Sequence, residues 1–238
     1  MKRGLILAFL LCVCAVAQAG SLPVFEGLIE PREVVGFSSQ IPGILEKVLV
    51  ERGDRVEVGQ VLAKLKSGVE AAAVRTAEAR VDFGQRKAER NTELHKKKLI
   101  SVHEKDELET EVQLARLQQI EAREQLELRT IRSTIKGVVV KRSGAPGEYV
   151  GEEPFLTVAR IDPLNVELVI SVEYFGAIKE GATARVMPDP PVGGEYAAKV
   201  VIVDKVIDAA SGTFGVRLEL PNPQLKLPAG VKCRVAFE

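Results

Sequence analysis

The stretch Gly53-Asp54-Arg55-Val56-Glu57-Val58-Gly59-Gln60-Val61-Leu62 decides the reading of this chain, because the chain carries its pattern twice. Gly53-Asp54 matches Gly147-Glu148, Val56 matches Val150, and Val61-Leu62 matches Phe155-Leu156. In the same register, 94 residues from 43 to 137, Gly43 matches Gly137, Ile44-Leu45 matches Val138-Val139, and Lys47 matches Lys141. Each copy alternates short apolar runs with a glycine followed by an acid, the pattern of strands joined by tight turns. Glycine suits turn positions where φ is positive. A half-sheet of this size exposes one apolar face and is unstable alone; two folded onto each other bury both faces. The spacing predicts a small β-sandwich from residues 37–66 and 132–160.

The segment between the copies, residues 67–131, is of another kind. No proline occurs between Pro42 and Pro146, and Gly84 is the one glycine from Val69 to Arg129. Strong helix formers dominate. Val74, Ala77, Val81, Gly84 and Ala88 keep the 3-4 spacing of an a/d seam, and Leu108, Val112, Ala115, Gln119, Ala122 and Leu126 form a second. The pattern breaks at Lys98-Leu99-Ile100-Ser101-Val102, where Ser101 and Glu104 have the spacing of a capping box. Two antiparallel helices turning near Leu99–Ser101 follow, the first of about 30 residues and roughly 45 Å. The small seam residues allow close approach but bury little area. A further stripe, Leu114, Leu117, Glu121 and Leu128, faces elsewhere on the second helix. Packing within the hairpin and contact with a neighbouring subunit both account for it.

Beyond Asp162-Pro163 the texture returns to strands and turns. Leu164–Ile170 reads as a strand and Tyr174–Lys179 as one short helix before Gly181. Strands follow around Ala184–Val186, Ala197–Val203, Phe214–Leu220 and Val231–Phe237, separated by Pro/Gly-rich turns. This spacing over residues 161–238 predicts a small closed β-barrel, which residues 20–36 join with a strand over Val24–Gly36. The fold class is mainly β with an α-helical coiled-coil hairpin.

At the amino terminus Lys2 and Arg3 precede an apolar run, Leu5 to Ala17, and Ala17-Gln18-Ala19 supplies small residues for cleavage. Residues 1–19 read as a cleavable signal peptide; the run falls short of the roughly 20 residues that span a bilayer. Neither Cys12 nor Cys14 sits in a lipobox. Cys233 is then the one cysteine of the mature chain, so no internal disulfide forms, and its alternating context marks it as a small buried apolar group. Lysine plus arginine and aspartate plus glutamate both number 33, and tryptophan is absent, so neither a basic field nor a set of stacking aromatics points to nucleic acid. His95 and His103 flank the turn, but two ligands make no closed metal site. Met187 is the one methionine beyond the signal segment, and metal export has no ligand cluster to support it. Phosphate loops, nucleophile elbows and paired catalytic carboxylates are not evident. The chain reads as no enzyme, with no cofactor.

The repeated halves resemble the biotinyl/lipoyl domain. In true carriers the halves are nearly contiguous and the connecting hairpin holds a modifiable lysine; counted along that pattern, the position falls on Val69. A carrier is therefore disfavoured. A lipoyl-like sandwich split by a coiled-coil hairpin and followed by a barrel resembles the periplasmic adaptor, or membrane fusion protein (HlyD-like), family of efflux systems. Ile207-Asp208, Phe214-Gly215-Val216-Arg217, Asn222-Pro223 and Leu227-Pro228-Ala229-Gly230 are similar to the family's barrel signature. Arg90, Leu94 and Ser101 stand at the spacings of its hairpin-tip pattern, which implies docking onto a TolC-type outer-membrane channel.

The resemblance implies a periplasmic protein held at the inner membrane by a transporter and assembled as a homo-oligomer, often a hexamer. A transporter of the resistance-nodulation-division (RND) type is preferred. An ATP-driven (ABC) exporter or secretion system, and a free-standing periplasmic scaffold or binding protein, are the alternatives. Many relatives continue past the barrel into a membrane-proximal domain, and a complete copy is not expected before Glu238.

Overall fold

The computed structural model describes residues 22–97 and 99–238. The expected signal segment, with Cys12 and Cys14, lies outside the described residues. The chain divides into two compact units: Ile29–Val166 with Glu219–Val231, and residues through Leu28 with Glu167–Leu218 and Lys232–Glu238. Among the described residues no helix is long and apolar enough to cross a membrane.

The chain opens with strand β1 (Phe25–Phe37). The first unit is then built on the repeat. Copy one supplies β2 (Gly43–Val48), β3 (Arg55–Val56) and β4 (Val61–Leu65). Helices α1 (Gly68–Lys96) and α2 (Val102–Glu127) follow, then β5 (Thr130–Arg132). Copy two supplies β6 (Gly137–Arg142), β7 (Tyr149–Val150) and the start of β8 (Leu156–Ser171).

The copies exchange strands symmetrically. β2 of the first pairs with β7 of the second, Gly43 opposite Val150, and β3 of the first pairs with β6 of the second, Val56 opposite Gly137. The equivalent amides of Gly147 and Gly53 each donate at 2.8 Å, to the carbonyls of Leu45 and Val139. The acid after each glycine has a matching task. Asp54 accepts from the Glu51 amide at 2.7 Å, and Glu148 from the Ala145 amide at 2.9 Å. These carboxylates close the turn, which explains why the repeat requires an acid there. The symmetry also reaches further upstream than the apolar pattern. The buried hydroxyls of Ser39 and Ser133 donate to the carbonyls of Ile41 and Ile135, both at 2.6 Å. Between the layers Leu45, Val56, Leu62, Leu65, Ile131, Val139, Phe155, Leu156 and Val158 form one core. Neither half buries its apolar face without the other.

The second unit adds β9 (Thr183–Pro188), β10 (Tyr196–Val203), β11 (Thr213–Leu220) and β12 (Val231–Phe237). β9 lies between β10 and β12, antiparallel to both. The strand order β1-β12-β9-β10-β11-β8, with β1 pairing back to β8, closes a barrel and leaves no free edge. Phe214, Val216 and Leu218 of β11 point inward in strict alternation. Phe25 packs edge-on against Tyr174 and Phe237, with ring centroids 5.3 and 5.7 Å away.

Two expectations are corrected. The short helix over Tyr174–Lys179 is absent; a single 3-10 turn, Val172–Tyr174, stands there instead. Gly176, at φ +85°, breaks the chain direction before a helical turn completes. The strand read over Leu164–Ile170 also starts earlier, before Asp162-Pro163. β8 runs unbroken from Leu156 to Ser171, since a proline removes one donor from a ladder and leaves the extended backbone intact.

Cys233 lies buried in β12 of the barrel, as its alternating context predicts. Burial, with the nearby Asp189 charge, pushes its thiol up to about 11 from an ordinary 9.0. A thiol raised on folding favours the folded state fully below its unfolded value. That contribution fades as pH climbs from about 9 towards 11. Thermal unfolding followed against pH should show a steeper alkaline limb in the native chain than in Cys233→Ala; parallel limbs would contradict this assignment.

Candidate functional site

Helix α1 is 29 residues long and reaches about 44 Å at 1.5 Å per residue. Its seam is the one the spacing predicts: Val74, Ala77, Val81 and Gly84 are buried, as are Val112 and Ala122 of α2. Gly84 lets the helices come close: a Cβ there would stand 3.3 Å from a Val112 methyl, tighter than ordinary contact. Across the seam Lys87 pairs with Glu111 at 2.9 Å and Arg123 with Glu78 at 2.7 Å. At the base Arg129 is largely buried. Its guanidinium holds Glu70 at 2.6 Å and donates to the Pro42 carbonyl at 3.2 Å. One arginine thus ties the exit of α2 to the first turn of α1 and to the entry of β2. The hairpin is fixed at its root and projects its far end.

That far end is the candidate site. The Leu99 amide donates to the Leu94 carbonyl at 2.9 Å, which turns the chain out of α1. The Ser101–Glu104 capping box then starts α2. The Glu104 amide donates to Ser101 Oγ at 3.2 Å, and the Ser101 amide donates to the Glu104 carboxylate at 2.7 Å. That backbone donor, joined by the Ser101 hydroxyl, holds the Glu104 carboxyl below its ordinary range. The box therefore favours folding above the ordinary carboxylate pKa and weakens as pH falls through the lowered one. Ser101→Ala should cost about 1 kcal/mol of stability, read as a lower urea midpoint. An unchanged midpoint would remove the cap from the account. The His95 ring sits 3.3 Å from the Ile100 carbonyl, a contact within the turn. Among the described residues no group of His, Cys, Asp and Glu is arranged to hold a metal.

The structure brings Arg90, Leu94 and Ser101 to the distal end of the hairpin but gives them different circumstances. Arg90 and Leu94 lie exposed on the face of α1 turned away from α2, with Leu94 37% exposed. The Ser101 hydroxyl is already engaged within the chain, donating to Glu104 at 2.9 Å. Sequence reasoning missed Leu99 and Val102, which are 66% and 62% exposed at the same end. The signal was present, since both sit where the helical pattern breaks. Leu94, Leu99 and Val102 make an apolar tip beside Lys96 and Lys97. The stripe Leu114, Leu117, Glu121 and Leu128 is exposed, so packing within the hairpin does not explain it.

Comparison with known proteins follows this geometry. Residues 33–159 match the family described as CzcB-like, barrel-sandwich hybrid domain. The chain is 29% identical over 239 residues to the multidrug resistance protein MdtE of Escherichia coli K12, covering 86% of this chain and 61% of MdtE. It is 25% identical over 212 residues to the solvent efflux pump periplasmic linker SrpA of Pseudomonas putida, covering 81% of this chain and 54% of SrpA. The chain thus spans little more than half the length of these relatives. Among solved structures, a MacA-MexA chimeric protein containing the Pseudomonas aeruginosa MexA alpha-hairpin domain superposes with a TM-score of 0.79. It is 22% identical, and the match covers 91% of this chain and 81% of that one. At that identity the likeness is one of fold.

Proposed function

The chain belongs to the CzcB-like barrel-sandwich hybrid family of periplasmic adaptor (membrane fusion) proteins, and from that membership we propose that it couples an inner-membrane efflux transporter to an outer-membrane channel. The observation that carries the proposal is the hairpin, rooted by Arg129 in the sandwich and ending in an exposed apolar tip about 44 Å along. The role is assembly, with no bond chemistry. Several copies, six in the arrangement the family resemblance implies, stand side by side in the periplasm. Their tips engage a channel of the TolC type. Leu94, with Leu99 and Val102, supplies apolar area that is wet in the monomer and dry in the complex, where buried anchors dominate affinity. Arg90 and Lys97 supply charge at the rim. For the transporter we propose the RND class, on the spacing of Arg90, Leu94 and Ser101.

The test is genetic. Cells lacking the chain should accumulate a fluorescent efflux substrate, and the full chain should restore its export. A variant with residues 69–128 replaced by a short turn should reach the periplasm and restore nothing. Restoration by that variant would overturn the proposal, since it keeps sandwich and barrel but has no hairpin.

A further inference from the structure

We infer that the hairpin is a stiff shaft bearing a head that opens: beyond Gly84 and Val112 the two helices are built to draw apart, while the shaft below them stays closed. The inference rests on the reading that the tip docks onto a channel, and it names how the tip gains area for that contact.

The seam changes character along its length. From the root it runs through Val74, Ala77, Val81 and Gly84 of α1, with Ala122 and Val112 buried on α2. Val74, Ala77 and Ala122 form a cluster there, with Leu126 packed against it. The same 3-4 spacing continues through Ala88, Asn91 and His95, and none of these is buried. Nor is any described residue of α2 before Val112. An asparagine at a seam position lowers the stability of a coiled coil, and here a histidine follows it. Along one flank of this stretch the space between the helices stands open, a hollow of about 450 Å³ bounded by Ala88, Thr92, Glu109, Val112, Gln113 and Arg116. Gly84 marks the junction, a residue type that weakens a helix.

The side-chain bonds divide at the same height. Below it α1 and α2 are tied by Glu78 with Arg123, Arg80 with Gln118 and Lys87 with Glu111. Beyond Lys87, among the described residues, the side-chain bonds stay within one helix or its adjoining turn. Asn91 donates to the Lys87 carbonyl at 2.8 Å, and Thr92 to the Ala88 carbonyl at 2.9 Å. Lys105 pairs with Glu109 on its own helix. The turn splits likewise. The Leu99 amide and the Ile100 carbonyl engage Leu94 and His95 of α1, while Ser101 belongs to the cap of α2. Opening the head therefore breaks none of these bonds. It uncovers the half-buried apolar groups Ala88, Ile100 and Leu108, which join Leu94, Leu99 and Val102 in facing the channel.

Hydrogen exchange in the purified full chain tests the opening. Amides of residues 91–95 and 106–110 should exchange about 100-fold faster than those of residues 74–84 and 112–122, with a step at Gly84 and Val112. Asn91→Leu, which makes the seam apolar there, should slow the head about tenfold and leave the shaft unchanged. Equal protection along the hairpin, or a head indifferent to Asn91→Leu, would overturn the inference. Cross-linking in cells tests its use. Asn91→Cys with Leu108→Cys, joined by oxidation in the periplasm, should abolish export, and a reductant should restore it. Gly84→Cys with Val112→Cys joins the shaft, where a Cβ at Gly84 would stand 3.9 Å from the Val112 Cα, and should leave export unchanged. Buried Cys233 does not compete. Export untouched by a joined head, or lost equally with a joined shaft, would count against the inference. A fast-exchanging head in a chain whose deletion leaves export unchanged would sink the export reading and leave the opening standing.

Discussion

A chain carrying Leu94→Ser is expected to fold, reach the periplasm and export nothing. Leu94 lies outside the seam of Val74, Ala77, Val81 and Gly84 and is 37% exposed, so its side chain is partly covered and contributes less to the hairpin than a seam residue. Losing that partial cover should lower stability by about 1 kcal/mol, small enough to leave the chain folded. In the proposed complex the same side chain serves as an apolar anchor. Putting a hydroxyl where a partner offers an apolar pocket costs about 2 to 4 kcal/mol, or a 30- to 1,000-fold loss of affinity. The measurement is a pair: the urea midpoint of the purified variant, and efflux by cells that depend on it. Normal folding with lost efflux assigns Leu94 to docking. A collapse of the folded state would give it a packing role and move the docking site elsewhere.

The largest effect on stability is expected from Gly137→Ala. A Cβ at Gly137 would stand 2.4 Å from the Ala159 carbonyl oxygen and 2.9 Å from its carbon. Those atoms belong to β8, which pairs with β6 through Val138 opposite Ala159, so relief requires the two strands to part. Overpacking against backbone costs about 3 kcal/mol, large beside the whole stability of a domain. The equivalent Gly43→Ala should be milder. There a Cβ meets, at 2.7 Å, Nη1 of Arg129, so relief displaces a side chain and its bond to the Pro42 carbonyl rather than parting two strands. The predicted order of urea midpoints is native, Gly43→Ala, Gly137→Ala. Equal losses would mean that the approach of β6 to β8 at Gly137 is no tighter than the contact of Gly43 with Arg129.

These two glycines also show how far sequence carries. Their common register revealed the repeat, because strand exchange demands the same pattern twice, and the bounds of β2 and β6 repeat with the same offset. The hairpin seam was equally legible, since helical burial has a fixed period and Val74 through Gly84 keep it. Neighbours far apart in the chain stayed hidden. Nothing in the pattern says that Gly43 faces an arginine and Gly137 a carbonyl. Nor does it say that Ser39 and Ser133 bury matching hydroxyls, because polar side chains carry no apolar period. At the tip, three residues chosen by spacing proved unequal: Ser101 is occupied by its own cap, while Leu99 and Val102 are open. A spacing pattern fixes position along a helix and leaves open which groups are already engaged.

The central claim, that the tip touches an outer-membrane channel, is tested most directly by cross-linking in living cells. A photoreactive residue replaces exposed Lys97, next to the turn, and is activated during export. The account predicts capture of an outer-membrane channel protein, and loss of that capture when Leu94→Ser is added. A chain shown to be folded in the periplasm that captures no channel would contradict it, as would capture indifferent to Leu94.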